Sequence, residues 1–258
     1  MKIEEVYEFS YDFLVDISSG IVSKSEIDTF ISESDGGELS SIDGAFELLL
    51  SILQDFQMFP NVIKYAERSE EIKEAIRFPN ISYCASLDPE QLAERFIKRF
   101  GASRERCWRR YCKGIVTGAQ FLDGFDGFED FKRTLDSHDR DAISREALAL
   151  YLSKTISNMG FAIACNWLKE LGYMNYSKPD THMKDICLAL GLIKSKNDDV
   201  GCFRAMNSVA DGAGVEPYRL DKVWWLICSG NYYRINRQIP NPRINKERFL
   251  RLLEANRP

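Results

Sequence analysis

The chain has 258 residues, of which 45% are hydrophobic and 28% charged, an ordinary balance for one large or two small globular domains with a buried core. It has no run of about 18 apolar residues, and its acidic start, MKIEEVYEFSYDF, lacks an apolar signal region, so we expect no membrane partner and no secretory leader. Seven cysteines without a repeating spacing, and only two histidines, His138 and His182, suit free thiols in a reducing, cytoplasmic setting and argue against a zinc site.

The net charge of −5 hides an asymmetry. Residues 1–90 carry 6 Lys and Arg against 19 Asp and Glu, whereas residues 91–258 carry 28 against 20. A polyanion suits the basic part, with the acidic third facing elsewhere; the alternative is two solvated faces of opposite sign.

In chain order, apolar residues recur at helical spacing over 4–17 and 45–56. Between them SESDGGELSS, 32–41, reads as a loop. Asp88-Pro89 supplies an N-cap and first-turn pair for a helix over 89–100, and Ser103 a cap for one reaching 111. Helices over 128–135, 144–156, 161–171, 179–190, 200–210, 218–228 and 245–255 follow. Gly172 and Gly191 stand where C-caps are expected, and IPNPR, 239–243, reads as a loop. Period-two alternation is nearly absent, so the fold class is all-α.

Two stretches carry chemistry. From Gln91 to Lys113 eight Lys and Arg stand against two acids, with Phe96, Phe100, Trp108 and Tyr111 interleaved. Arg106, Arg109, Arg110 and Lys113 fall within two helical turns, which suits a solvated helix face with the aromatics in the core or a phosphate track. Further on, ISNMGFAIACNWLKELGY, 156–173, reads as a helix end, a tight turn and a new helix. Asn158 and Gly160 are the residue types best able to take positive φ. The amides of such a turn, at a helix start, can hold an anion, or the hairpin merely turns the chain. After it comes Ser177-Lys178-Pro179-Asp180-Thr181-His182, in which S-x-x-D suits a capping box.

The order of these features resembles the helix-hairpin-helix DNA glycosylase superfamily of endonuclease III. Ile156, Met159 and Gly160 match the hairpin, with Asn158 in place of its first glycine. Ala164 matches the small residue between the two helices, and Asp180-Thr181-His182 matches the segment holding the catalytic aspartate. DKVWWLICSG, 221–230, matches the apolar helix that follows. The resemblance covers about 144–230 and leaves the first 85 residues unmatched.

It implies two helical lobes, one formed by 1–90 with 175–258, the other by 91–174 with the hairpin at 156–164. It implies that Ser157, Asn158, Met159, Gly160, Phe161 and Ala162 grip a phosphate of double-stranded DNA, with a monovalent cation at the hairpin carbonyls and no other metal. A flipped base would enter a pocket for which Trp224, Trp225 and Tyr173 are candidates, while Arg106, Arg109, Arg110 and His182 would contact DNA. Asp180 would stabilise positive charge on the sugar as the glycosidic bond breaks. The lysine of bifunctional members falls at Ala162, which has no amine, and Lys154, Lys169 and Lys178 lie elsewhere. The expectation is therefore a monofunctional enzyme excising a damaged base or a hypermodified base of phage DNA, the latter as a defence factor. The C-x6-C-x2-C-x5-C spacing of many members is absent, so no iron–sulfur cluster or other cofactor is expected. The alternatives are a non-catalytic DNA-binding module and a helical protein–protein adaptor, and no protein partner is legible.

Overall fold

The structure of the chain, a computed structural model, describes residues 1–33, 40–56, 60–101 and 104–257. Ser103 and residues 34–39 of the loop at 32–41 lie outside the described residues. Among the described residues the architecture is all-α, with fifteen α-helices and one two-stranded antiparallel ribbon. In order these are α1 (Val6–Ser18), α2 (Lys24–Ser32), α3 (Ile42–Ile52), α4 (Pro60–Ile63), α5 (Tyr65–Ala75), α6 (Ile81–Ala85), α7 (Pro89–Phe100), α8 (Glu105–Asp123) and α9 (Phe128–His138). There follow α10 (Ala142–Thr155), α11 (Phe161–Glu170), α12 (Thr181–Ala189), α13 (Asp199–Ala213), α14 (Pro217–Ser229), β1 (Asn231–Tyr232), β2 (Arg237–Gln238) and α15 (Pro242–Ala255).

The chain divides into two compact units, Met1–Asp35 with Tyr173–Pro258, and Gly36–Gly172. The first junction is thus near residue 35, not 90, and the second near 172. Packing explains the difference: α3 lies against α8 and α11, and α6 against α8. The Tyr111 hydroxyl donates to the Leu50 carbonyl at 2.8 Å, and the Trp167 indole N–H to the Ala45 carbonyl at 3.2 Å.

Ion pairs join the same segments. Arg99 binds Glu71 at 3.1 Å and Glu74 at 2.9 Å, and Arg109 binds Glu90 at 2.5 Å. Acids of the first 90 residues thus face bases of the block that follows. The charge asymmetry along the sequence is consequently not one between units: the central unit holds 18 basic and 21 acidic residues, the other 16 and 18.

The unit made from the two outer segments is built on α1, which packs against α13 and α14, and on α12, which packs against α13, α14 and α15. Val6, Leu14, Met183, Trp224 and Phe249 are fully buried there. The Trp224 indole N–H donates to the Ser10 hydroxyl at 3.0 Å, closing the unit across 214 positions of sequence. The Tyr218 hydroxyl reaches the Glu33 carbonyl at 2.7 Å.

Several boundaries differ from the sequence reading. α8 continues to Asp123 through Gly114 and Gly118, and α15 begins at Pro242, inside the stretch read as a loop. The short or acid-rich helices α2, α4, α5 and α6 and the two-residue strands show too little apolar period to be read. Gly172 and Gly191 do follow helices in the left-handed region, at φ 99° and 75°. Among the described residues no helix is long and apolar enough to cross a membrane, and no three His, Cys, Asp or Glu side chains group as a metal site.

Candidate functional site

The hairpin lies in the central unit. α10 ends at Thr155, and the turn Ile156–Gly160 is pinned by the buried side chains of Ile156 and Met159. The Met159 N–H donates to the Ile156 carbonyl at 3.2 Å. Asn158 takes φ 65°, a conformation that favours glycine and asparagine. Gly160 does not: its φ is −71°, and a Cβ built there would meet nothing within 4 Å. The glycine is therefore not demanded by strain or by packing. It is the exposed N-cap of α11, and no side chain caps that helix. The first N–H groups of a helix have no intrahelical acceptor, so this start presents donors beside an open backbone. Phe161 is buried and anchors the helix, Ala162 is half-buried, and Ala164 is fully buried.

α8 holds this turn from behind. A Cβ on Gly114 would lie 2.8 Å from the Ser157 carbonyl oxygen. One turn on, the Thr117 hydroxyl accepts the Ser157 N–H at 2.9 Å and donates to the Lys113 carbonyl at 2.8 Å. Sequence reasoning missed Gly114 and Thr117; the small-residue pair Gly114 and Gly118 at helical spacing was the available signal.

Arg106, Arg110 and Lys113 share a face of α8 with Thr117, since separations of four, seven and eleven return to nearly the same side of a helix. The basic stripe thus runs toward the residue that binds the hairpin. Arg106 and Lys113 are exposed, and the Arg110 guanidinium lies 4.0 Å from the Phe56 ring centroid. Arg109 does not belong to the stripe: it points to Glu90 and to Glu105, 3.7 Å away. Phe96, Trp108 and Tyr111 are buried, so the interleaved aromatics mark the apolar face of amphipathic helices and not a stacking platform.

In the other unit, Asp180 is the N-cap of α12. Its Oδ1 accepts the N–H of His182 at 2.7 Å and of Met183 at 3.1 Å. Oδ2 takes no hydrogen bond from a described residue and reaches solvent. The capping box expected from Ser177 does not form, because Asp180 caps the helix itself; the Ser177 hydroxyl is buried without a partner among the described residues. Pro179 consequently precedes the helix. The segment leading to Asp180 is held by Asp221, whose Oδ2 accepts the Lys178 N–H at 3.0 Å, a contact sequence reasoning missed. Asp221 itself is buried.

The base-pocket candidates separate. Trp224 is fully buried and bonded to Ser10, so it is core and offers no stacking surface. Trp225 is half-buried, edge-on to Tyr233 at 5.7 Å, and Tyr173 is half-buried. His182 is half-buried, with Nδ1 3.0 Å from the Lys246 ammonium. Lys169 is buried beside Glu170, 3.9 Å away, and Lys154 is exposed.

No family model and no curated protein matches the chain. Solved structures do. The chain is similar to the 8-oxoguanine DNA glycosylase of Methanocaldococcus jannaschii, with a TM-score of 0.54 at 17% identity over 88% of this chain and 97% of that one. It is similar also to the 8-oxoguanine glycosylase/lyase of that organism in complex with a 15mer DNA containing 8-oxoguanine, with a TM-score of 0.52 at 19% identity over 84% and 95% of the two chains. For the 8-oxoguanine DNA glycosylase of Thermotoga maritima the TM-score is 0.52 at 18% identity over 87% and 97%. The fold is that of the helix-hairpin-helix DNA glycosylases. Within that fold the hairpin sets a helix start with no side-chain cap in one unit, and Asp180 an anchored carboxylate in the other.

Replacing Gly114 by alanine tests how the hairpin is held. Alanine gains about 1 kcal/mol of helix propensity, but overpacking against backbone costs about 1–3 kcal/mol. Because the obstructing atom is the Ser157 carbonyl, the variant should be net destabilised in urea unfolding and its hairpin displaced. A variant more stable than the parent would show that the approach of α8 is not tight.

Proposed function

We propose that the protein is a monofunctional DNA N-glycosylase. The observation that carries the reading is the state of Asp180, anchored through one carboxylate oxygen by two backbone amides while the other oxygen remains open. A carboxylate held this way stays oriented at a helix start, where the dipole favours the anion by about 0.3–1 kcal/mol. Such a group stabilises an oxocarbenium-like sugar as the bond from C1′ to the base nitrogen breaks. The bonding electrons leave with the base, water supplies hydroxide to C1′, and the base nitrogen takes the proton.

The hairpin and the stripe on α8 supply the grip on DNA. The uncapped start of α11 donates backbone N–H groups to one phosphate, and the absence of a side chain at Gly160 lets it approach. Arg106, Arg110 and Lys113 extend the track along the same unit. A monovalent cation at the turn would draw on the carbonyls of Asn158 and Met159, since those of Ile156 and Gly160 already accept N–H groups and that of Ser157 faces α8.

Ala162 has no amine where a bifunctional relative carries its lysine, so no imine with the sugar arises there. The product is an intact strand with an abasic site, which alkali then breaks and borohydride does not trap. The substrate is a flipped damaged base, with the oxidised purine of the fold neighbours the first to try, or a hypermodified base of phage DNA, which would make the protein a defence factor. Mass spectrometry of bases released from oxidised, alkylated and modified phage DNAs distinguishes them. A second reading is a non-catalytic DNA-binding module, favoured by the fact that the bonds of Asp180 are also those of a helix cap.

Asp180→Asn should abolish base release, leave DNA affinity nearly unchanged and change stability by less than about 1 kcal/mol, since asparagine also caps helices. Turnover near that of the parent in a gel assay of abasic sites would remove Asp180 from the mechanism.

Gly160→Ala separates the clamp from the fold. With an ordinary φ and open space at Cβ, stability should stay within about 1 kcal/mol while affinity for every DNA sequence falls. Undiminished affinity by fluorescence anisotropy would place the phosphate elsewhere.

Neutralising Arg106, Arg110 and Lys113 to glutamine should flatten the plot of log affinity against log salt by about one unit for each phosphate that is no longer neutralised. The matching change at Arg109, already paired with Glu90 and Glu105, should leave that slope nearly as it was. Equal slopes for the triple variant and the parent would take the stripe off the DNA.

A further inference from the structure

The residues around His182 form a charged cluster that neither the anion clamp nor the Asp180 carboxylate requires. The Lys246 ammonium, from α15, lies 3.0 Å from His182 Nδ1 and 2.7 Å from Asp185 Oδ2. Asp185 is also ion-paired with Lys196. The Lys246 side chain is only 17% exposed and that of Asp185 13%, so the pair is held with little water between. His182 is joined to Asp180 through its own backbone, since its N–H is one of the two that anchor Oδ1.

An ammonium has three donors and no acceptor, so the imidazole nitrogen facing it must be the acceptor. Nδ1 therefore carries a lone pair, and the ring proton sits on Nε2. Nε2 has no partner among the described residues and reaches solvent. Asp185 is bound by two ammoniums, and its charge favours the protonated ring less than burial and Lys246 together disfavour it. The consequence bears on Asp180: an imidazolium in the first turn of the same helix would be a counter-charge to the carboxylate, whereas a neutral ring is not.

We propose that Lys246 is a positioning residue, which by donating to Nδ1 holds His182 as the neutral Nε2–H tautomer and so spares the Asp180 carboxylate the counter-charge that an imidazolium at His182 would add. The bearing on catalysis rests on the glycosylase reading; the tautomer does not.

Burial lowers the pKa of His182 below its ordinary value; Asp180 opposes this, Lys246 reinforces it and Asp185 opposes it. Burial works against ionisation of Asp185, but Lys196 and Lys246 hold its carboxyl below the usual range. The charges that act on His182 are those of Asp180, Lys246 and Asp185. Asp199 of α13 is bound by Lys184 at 2.7 Å. The thiols of Cys202, on α13, and Cys228, on α14, are held protonated, the first by its hydrogen bond to Cys187 and by burial, the second by burial, which pushes it up to about 12.

The test is a two-bond proton–nitrogen correlation spectrum of the uniformly labelled protein. The chain has only two histidines, so His138→Gln assigns the signals. Parent His182 should show the Nε2–H pattern at pH 7 and titrate below about 6.5. Lys246→Met should raise that midpoint by about one unit, the usual effect of removing a like charge at this range, and mix the tautomers. Lys246→Arg, which retains a donor, should restore both. The acid limb of base release should move to higher pH with the midpoint in the methionine variant and return in the arginine variant. An Nδ1–H or imidazolium pattern in the parent at pH 7 overturns the proposal without any variant, as does an unchanged spectrum in Lys246→Met. If no base is released from any DNA, the glycosylase reading fails while the spectra still decide the tautomer.

Discussion

The close approach of α8 to the hairpin is the constraint on which the central unit depends. A helix backbone can come within contact of a neighbouring carbonyl only where no side chain intervenes, and Gly114 gives that access to Ser157. Thr117 then uses the proximity, receiving the Ser157 N–H and sending its own proton to the Lys113 carbonyl. A turn with no capping side chain is thereby fixed from behind, and its Gly160 stays exposed. The same helix carries the basic stripe, so the orientation of one element sets both the hairpin turn and the cations on that face of α8.

In the other unit the organising interaction is the cap at α12. Asp180 serves its own helix with one oxygen and leaves the other without a described hydrogen-bond partner, so capping does not use up the carboxylate. Its surroundings are arranged by longer contacts. Asp221 fixes the preceding segment through the Lys178 amide, and Lys246 meets both His182 and Asp185. These partners are far apart in sequence and near in space, which is why no local pattern announces them.

Legibility in the sequence followed the range of the interactions. The α7 start at Asp88-Pro89, the hairpin and the presence of Asp180 at a helix start depend on neighbours a few residues away, and each could be read, although the cap itself is Asp180 and not Ser177. The continuation of α8 could not: Gly114 and Gly118 look like helix breakers until the contacts with Ser157 and Leu49 are seen to need them. The domain junction was misplaced for a related reason. Charge counted along the chain suggested a separate acidic third, but Glu71, Glu74 and Glu90 pair with Arg99 and Arg109 inside one unit. Trp224 and Trp225 read alike as neighbours on an apolar helix, and only tertiary packing separates the fully buried one from the half-exposed one.

The closure of Ser10 on Trp224, 214 positions apart, has a consequence for the order of assembly. The central unit is a continuous segment, Gly36–Gly172, and is fully synthesised before α12 to α15 are made. The apolar face of α1, with Val6, Phe13 and Leu14, must wait for α13 and α14, which are synthesised after that whole segment. Contacts this distant in sequence form slowly, since the intervening chain must be brought together first. During synthesis the unit that bears the hairpin is therefore complete before the one that bears Asp180, and α1 is the element that emerging chains leave exposed longest to chaperones and to aggregation.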